Sequence, residues 1–340
     1  MRGRGEMRAD TAVIWFRQLA LIAVVLALCV VVMGAYVRLS DAGLGCPDWP
    51  GCYGQLTVPQ SEIAIEHAQS AYPHKPLEAH KAKKEMLHRY LAGSLGLLIL
   101  GLFLLGWRAK KVIRVSPVLP TLLLVLVIFQ AMLGMWTVTL LLKPVVVTAH
   151  LLGGMTTLGL LVWITHRHWG VASQRFLESS SLRFFIRGAL VVVLLQIFLG
   201  GWTSSNYAAL ACTDFPTCHG AWLPDMDFSN AYHWIRELGQ EADGSPLRLS
   251  ALTAIQWTHR MGALITLIYL GWLGWRLLKH PPVKAIGTVM LLLLLIQISL
   301  GIANLVLHLP LVLAVAHNLG AALLLSTIVV LNSKITKLQQ

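Results

Sequence analysis

The sequence predicts an all-α polytopic membrane protein: eight transmembrane helices arranged as two tandem, pseudo-symmetric four-helix bundles. Three observations carry that expectation. Of the 340 residues, 56% are hydrophobic and only 12% charged, with a mean hydropathy of +0.68, whereas an ordinary soluble domain carries about a quarter charged residues. Eight apolar stretches have the roughly 20 residues that a bilayer crossing needs. The two long polar connections between them share a sequence. A net charge of +12 in a soluble chain would suggest nucleic acid as a partner. Lys and Arg gathered in cytoplasmic loops explain it better, so lipid is the expected surroundings and no nucleic-acid partner is expected.

Taken in order, residues 1–14 form a cytoplasmic N-terminus that opens with a basic segment. The first span, 15–37, is too long for a signal-peptide core, and no small-residue cleavage site follows it, so it is retained. After an outer loop (38–87) come spans at 88–107, 117–138 and 145–165, which complete an N-terminal half over 15–165. A linker (166–183) leads to spans at 184–203, 252–275, 284–306 and 311–332, with an outer loop at 204–251; these make a C-terminal half over 184–332, followed by a tail at 333–340. With both termini cytoplasmic, every inner segment is basic: Arg108, Lys110, Lys111 and Arg114; Arg167, Arg175, Arg183 and Arg187; Arg276, Lys279 and Lys284; Lys334 and Lys337. The outer 204–251 loop instead carries Asp214, Asp225, Asp227, Glu237, Glu241 and Asp243. The 38–87 loop is mixed in charge, and long outer loops translocate largely regardless of charge. The expected location is therefore the bacterial cytoplasmic (inner) membrane.

Residues 34–54 align without gaps on residues 200–220, matching Gly34/Gly200, Leu44/Leu210, Asp48/Asp214, Pro50/Pro216, Gly54/Gly220 and both cysteine pairs. Further along, His88-Arg89 matches His259-Arg260, His150 matches His317, and Gln130-x-x-x-Gly134 matches Gln297-x-x-x-Gly301. The chain is a duplicated four-helix unit. An even number of spans per unit makes the repeats parallel, related by an axis along the membrane normal.

His88, His150, His259 and His317 each open an even-numbered span near its outer end. Polar residues at such depth usually face the bundle interior and mark function. Zinc asks for three or four ligands, while each half offers two recurrent imidazoles. A haem iron takes two axial ligands, and bundles place them on facing helices, so haem fits best. Gly93, Gly153, Gly154, Gly262 and Gly320, close after the histidines, would let a porphyrin approach the backbone or simply let helices pack closely. Arg89 and Arg260 could pair with haem propionates, although arginine at a helix end snorkels to the interface in any case. The halves differ at one position: Glu85 stands three residues before His88, and its repeat partner is Gln256. Residues at i and i+3 share a helix face, so a carboxylate stands beside one iron site and a neutral amide beside the other. This suggests chemistry in the N-terminal half and electron transfer in the C-terminal half; the bland reading is a glutamate near a helix N-terminus, where the dipole favours it.

Of five cysteines, Cys29 lies in the first span, while Cys46/Cys52 and Cys212/Cys218 occupy the outer loops. An oxidising outer face permits a local disulfide in each, either as a staple or as a redox-active dithiol. No C-x-x-C-H is present, so covalent haem attachment has no support.

These residues together resemble the haem A synthase family, in its bacterial type with cysteine pairs in two outer loops. The likeness rests on Glu85-x-x-His88-Arg89, His150, His259-Arg260, His317, the duplicated layout and the loop from Gly45 to Gly54. It implies an oxidoreductase that converts a porphyrin methyl of haem O into the formyl group of haem A for cytochrome oxidase. It further implies that His88 and His150 hold the substrate haem, that His259 and His317 ligate a haem b, that Glu85 takes part in catalysis, and that Cys46 and Cys52 act in redox or haem transfer. Haem O synthase and cytochrome oxidase assembly factors are candidate partners; the electron donor and acceptor and self-association stay open. Two other classes share some of these features. A quinol-linked di-haem b electron carrier has the four histidines but no use for the Glu85/Gln256 difference. A parallel-repeat transporter should show broken helices with ionisable groups at mid-membrane. Pigment extracted from the purified protein separates the three: haem O or A with haem b for the synthase, haem b alone for the carrier, none for the transporter.

Overall fold

A computed structural model describes residues 4–108, 110, 116–169, 180–241 and 243–335. Lys111, Arg114, Arg175 and Lys337, with the middle of the expected linker and most of the expected tail, lie outside them. Eight long helices follow in order: α1 (Arg4–Leu39), α2 (Ala79–Arg108), α3 (Val118–Thr139), α4 (Pro144–Trp169), α5 (Ser180–Ser205), α6 (Leu249–Leu278), α7 (Pro281–Val306) and α8 (Leu311–Ile335). Each is long and apolar enough to cross a membrane. They are apolar on both sides: every one contributes to a common core, through Phe16, Ile99, Leu123, Leu158, Ile186, Leu270, Met290 and Leu325, while Leu97, Val125, Val191, Ile268 and Leu295 are more than half exposed. A helix apolar all round belongs in a large interior or in lipid, and the chain is a multi-pass membrane protein. Cys29 is on an exposed face.

Six of the eight helices begin earlier than hydropathy places them, and two of these carry the histidine-arginine pairs. Helix α2 starts at Ala79 rather than 88, and α6 at Leu249 rather than 252. The extra turns of α2 contain Lys81, Lys83, Lys84 and Glu85, good helix formers that hydropathy cannot count. His88 consequently sits about 13 Å along its helix at 1.5 Å per residue.

Packing follows the duplication. Within the first four helices, α1 touches α2, α2 touches α3, α3 touches α4, and α4 returns to α1; α5 through α8 close the same ring. The rings meet through α4 against α8, with α1 against α8 and α4 against α5 on either side. Exchanging the halves maps this set of contacts onto itself, which is the mark of a two-fold relation. Side chains locate its axis. Arg38 Nη2 donates to the Ser204 carbonyl at 2.7 Å, and the Tyr207 hydroxyl donates to Asp41 Oδ1 at 2.9 Å, each between residues 166 apart. Near the other ends of the helices His166 Nδ1 lies 2.5 Å from Ser333 Oγ, 167 residues on. A residue can touch its own repeat counterpart only beside the axis. The axis therefore runs from the end bearing the long loops to the end bearing the chain termini, and the repeats are parallel.

At the seam between the rings, Thr148 Oγ1 and Ser205 Oγ share a buried hydrogen bond of 3.1 Å. Beside it a Cβ on Gly201 would lie 2.9 Å from Leu151 Cδ2 and 3.3 Å from Thr148 Cγ2. Gly201→Leu should force α4 and α5 apart and cost ~1–3 kcal/mol as overpacking does, read as a lower midpoint for thermal loss of the monodisperse detergent-solubilised protein. An unchanged midpoint would show that the seam has slack.

Candidate functional site

Each of the four histidines lies against a glycine of the preceding helix. A Cβ added at Gly34 would come within 2.9 Å of His88 Cε1, at Gly134 within 3.4 Å of His150 Cε1, at Gly200 within 3.2 Å of His259 Cε1, and at Gly301 within 3.2 Å of His317 Cε1. These contacts join α1 to α2, α3 to α4, α5 to α6 and α7 to α8. Within each half the two imidazoles are electrostatic neighbours: His88 with His150, and His259 with His317. Nδ1 of His88, His150 and His317 is buried with no hydrogen-bond partner. Buried polar atoms are nearly always paired, so these orphans point to a ligand. Two neighbouring imidazoles in each half, with an unpartnered ring nitrogen on three of the four, suit a metal with two protein ligands, and iron in a planar macrocycle meets that description.

Of the two uses expected of the glycines that follow the histidines, three of them have the second, close packing of helices. The seats at Gly153, Gly262 and Gly320 are filled by Gln130, Gln196 and Gln297 from the neighbouring helix, so a Cβ there would collide with the glutamine side chain. Gly93 has open space instead, and Gly154 meets only Val31 at 4.0 Å. Gln196 was missed in the sequence, although its spacing to Gly200 repeats that of Gln130 to Gly134.

Above the histidines sit two equivalent loops. Cys46 is bonded to Cys52 and Cys212 to Cys218, and all four are buried. Each disulfide closes onto a tight turn. Tyr53 and Gly54, like His219 and Gly220, have positive φ (55° and 75°; 53° and 75°), the pair of left-handed residues that a two-residue hairpin turn requires and that favours glycine. Asp48 accepts from the Tyr53 and Gly54 N–H groups at 2.6 and 2.8 Å, and Asp214 from those of His219 and Gly220 at 2.8 and 2.9 Å. The Thr217 hydroxyl and these N–H groups hold the Asp214 carboxyl well below the usual carboxylate range, while burial raises the Tyr53 phenol.

Both arginines that follow the paired histidines in sequence, Arg89 and Arg260, are committed to these loops. Arg89 Nη1 donates to the carbonyls of Asp48 (3.0 Å), Pro50 (3.2 Å) and Gly51 (2.5 Å). Arg260 donates to those of Thr217 (2.7 Å) and Cys212 (2.8 Å). Glu85 is 4% exposed and uses both oxygens: Oε2 accepts from the Cys46 N–H at 2.9 Å, and Oε1 lies 2.5 Å from Arg89 Nη2. The loop is pressed against α2, since a Cβ on Gly45 would fall 2.6 Å from the Lys81 carbonyl carbon. In the other half Gln256 is buried too, but its Oε1 has no partner. There His219 Nε2 contacts Thr253 Oγ1 at 3.2 Å. Cys212, Cys218 and His219 are close enough to hold a metal, yet the two sulfurs are bonded to each other, leaving one free donor of the three.

The acidic stretch after Cys218 folds down onto the helices. Trp202 is fully buried beneath it and donates from Nε1 to the Ala231 carbonyl at 2.9 Å. Arg236 bridges Asn206 Oδ1 and the Gln240 carbonyl. Glu237 reaches across to Lys143 in the other half at 2.7 Å.

Comparison with known proteins adds the following. Residues 17–329 match the COX15-CtaA family, described as cytochrome oxidase assembly protein. The chain is 45% identical over 314 residues to the haem A synthase of Shewanella oneidensis, covering 92% of this chain and 94% of that one. It is 26% identical over 338 residues to the haem A synthase of Wolbachia pipientis, covering 94% and 96%. For that of Bacillus licheniformis the identity is 25% over 306 residues, covering 88% and 89%.

Removing Arg89 should release the first loop alone. Arg89→Met keeps the apolar stem but strips three carbonyls and a buried carboxylate of their donor, at roughly 1.5 kcal/mol or more for a charged hydrogen bond. Reduction of Cys46–Cys52 by a water-soluble phosphine, followed by mass spectrometry of alkylated peptides, should speed up by about tenfold or more. Cys212–Cys218 in the same molecule serves as the internal control. Equal rates in variant and parent would remove Arg89 from this role.

Proposed function

The chain belongs to the COX15-CtaA family of cytochrome oxidase assembly proteins, and from that premise we propose how its two halves share one reaction. The protein is an enzyme that oxidises haem O to haem A. In our reading His88 and His150 hold haem O as substrate in the N-terminal half (15–165), and His259 and His317 hold a resident haem b in the C-terminal half (184–332). The observation that carries this is the repeated pair of neighbouring imidazoles, each laid on a glycine, with Nδ1 of three of them orphaned.

Turning a methyl into a formyl group removes electrons and protons from one carbon and adds an oxygen atom to it, so the site needs an electron route, a group that handles protons and access for an oxygen source, water or dioxygen. Haem iron supplies the redox chemistry when bound. The chain's own residues do the rest. The imidazoles would fix the macrocycle. Glu85, one turn before His88, takes up a proton at a carboxylate oxygen with Arg89 beside it to balance charge. The Cys46–Cys52 bond shapes the turn whose Cys46 N–H binds Glu85, so the state of that disulfide reaches the substrate site through one hydrogen bond. Arg89 and Arg260 serve the loops first, and a propionate would have to share them with carbonyl groups.

The orientation we propose puts both termini in the cytoplasm, in the bacterial inner membrane. Arg108, Lys110, Arg167, Arg183, Arg276, Lys279, Lys284 and Lys334 all lie towards the termini end of the bundle, as the positive-inside rule requires, and both disulfides lie at the opposite, oxidising end. Haem O synthase and cytochrome oxidase assembly factors are the partners this role requires on the supply and delivery sides.

Glu85→Gln should leave haem O bound and unconverted, so pigment extracted from the variant contains haem O and haem b with haem A reduced to trace. A normal yield of haem A would end the catalytic role of Glu85. His259→Ala or His317→Ala should abolish the low-spin haem b spectrum in protein that still inserts. Persistence of that spectrum would overturn the ligand assignment.

A further inference from the structure

A haem carries two propionate carboxylates, and Arg89 and Arg260 spend their donors on loop carbonyls. A third arginine stands close to the first pair of histidines. Arg38 is one helical turn beyond Gly34 on α1, so its Cα lies about 6 Å nearer the loop end than the contact of Gly34 with His88. Two contacts of α1 show which way Arg38 leaves the helix. Gly34 lies against His88 on α2, and Val31 lies against α4, where a Cβ on Gly154 would meet it at 4.0 Å. At about 100° per residue, Arg38 points about 20° from the direction of Val31 and about 40° from that of Gly34, on the side between them. That sector faces the interior of the first ring. Ala20 and Ala27, which share it deeper in the bundle, are buried.

The Arg38 side chain is 14% exposed. Nη2 donates to the Ser204 carbonyl at 2.7 Å, Nη1 stands 3.8 Å from Asp41 Oδ1, and the Tyr207 ring lies 4.0 Å from the guanidinium carbon. Nε is buried and has no partner. Buried N–H groups are nearly always paired, so this one points to an acceptor that arrives with a ligand. The repeat counterpart of Arg38 is Ser204. The cation is therefore a feature of the N-terminal half alone, as the Glu85 carboxylate is.

We propose that Arg38 binds a propionate carboxylate of the substrate haem and so fixes the rotation of the macrocycle between His88 and His150. The proposal rests on the reading above, in which those two imidazoles hold haem O. A propionate hangs from the macrocycle edge on a two-carbon arm, and its carboxylate belongs towards the polar end of the bundle. A cation one turn outside His88 is placed to meet it. Guanidinium matches a carboxylate in shape as well as charge, and the bond gains strength where water is scarce. Two axial imidazoles hold the iron yet leave the ring free to turn about the line through them. A charged contact at the ring's edge removes that freedom. The ring carries several methyl groups and one is oxidised, so orientation decides which carbon is presented for reaction.

The test uses purified full-length protein from cells that make no haem O, with haem b in place, titrated with haem O and with its dimethyl ester. Binding is read from the Soret difference spectrum. The parent should bind the diacid about tenfold or more tightly than the diester. Arg38→Met should bring that ratio close to one by weakening the diacid, with diester affinity and haem b content as in the parent. Lys84→Met removes a neighbouring cation whose ammonium sits 5.0 Å from the Tyr36 ring, about 200° around α1 from Arg38, and should keep the parental ratio. Equal affinities for diacid and diester in the parent would overturn the proposal without any variant. A parental ratio in Arg38→Met would overturn it too, as would a ratio lowered equally by Lys84→Met, which is the sign of a diffuse field. Loss of both ligands alike in Arg38→Met, or loss of haem b, would make Arg38 a prop for the seam and end the proposal. His88→Ala separates the two levels. If haem O then binds with the parental spectrum, the ligand reading itself fails. If that spectrum is lost while Arg38→Met keeps the parental ratio, only the carboxylate contact fails.

Discussion

Four imidazoles laid on four glycines set the architecture of this protein. An imidazole between apolar helices needs a neighbour that comes very close, and glycine is the residue that permits it. With a Cβ at Gly34 only 2.9 Å from the His88 ring, the distance between α1 and α2 is dictated by that contact, and its three counterparts dictate the other pairs. The rings of four helices close around the imidazoles for this reason. The duplication then places the two closed rings side by side, with α4 and α8 at the seam.

On that near-symmetric frame the differences gather around one histidine. Glu85 replaces the amide found at Gln256, Tyr53 replaces His219, and Val30 with Leu91 replaces a glutamine with its glycine seat. All of them sit in the N-terminal half, Glu85, Val30 and Leu91 on the two helices that hold His88 and Gly34, and Tyr53 in the loop above. Glu85 completes a connected chain from the Cys46–Cys52 turn, through the Cys46 N–H and its own carboxylate, to Arg89 and back to the loop carbonyls. A buried polar network of this kind acts as a unit. The C-terminal half keeps its loop arginine and disulfide but leaves the Gln256 oxygen without a partner.

Much of this was legible in the sequence because it is written in residue type and spacing. Eight apolar stretches, the 34–54/200–220 repeat and the four recurrent histidines depend on no tertiary detail. Other features depend on which neighbour fills a space. The early start of α2 was hidden because Lys81, Lys83 and Lys84 are polar yet helical. Gly153, Gly262 and Gly320 read as room for a porphyrin until the glutamine across each gap was visible. Arg89 and Arg260 read as propionate partners because their loop carbonyls lie some forty positions away in sequence. Gln196 could have been found, since Gln196-x-x-x-Gly200 repeats a spacing already noted elsewhere.

The central claim is that two irons sit in this chain, one per half, each between the paired histidines. An anomalous difference map at the iron edge, from crystals of the pigmented full-length protein, tests it most directly. The account predicts one peak between His88 and His150 and a second between His259 and His317. A peak away from both pairs, or a fully pigmented protein with iron at neither, would contradict it.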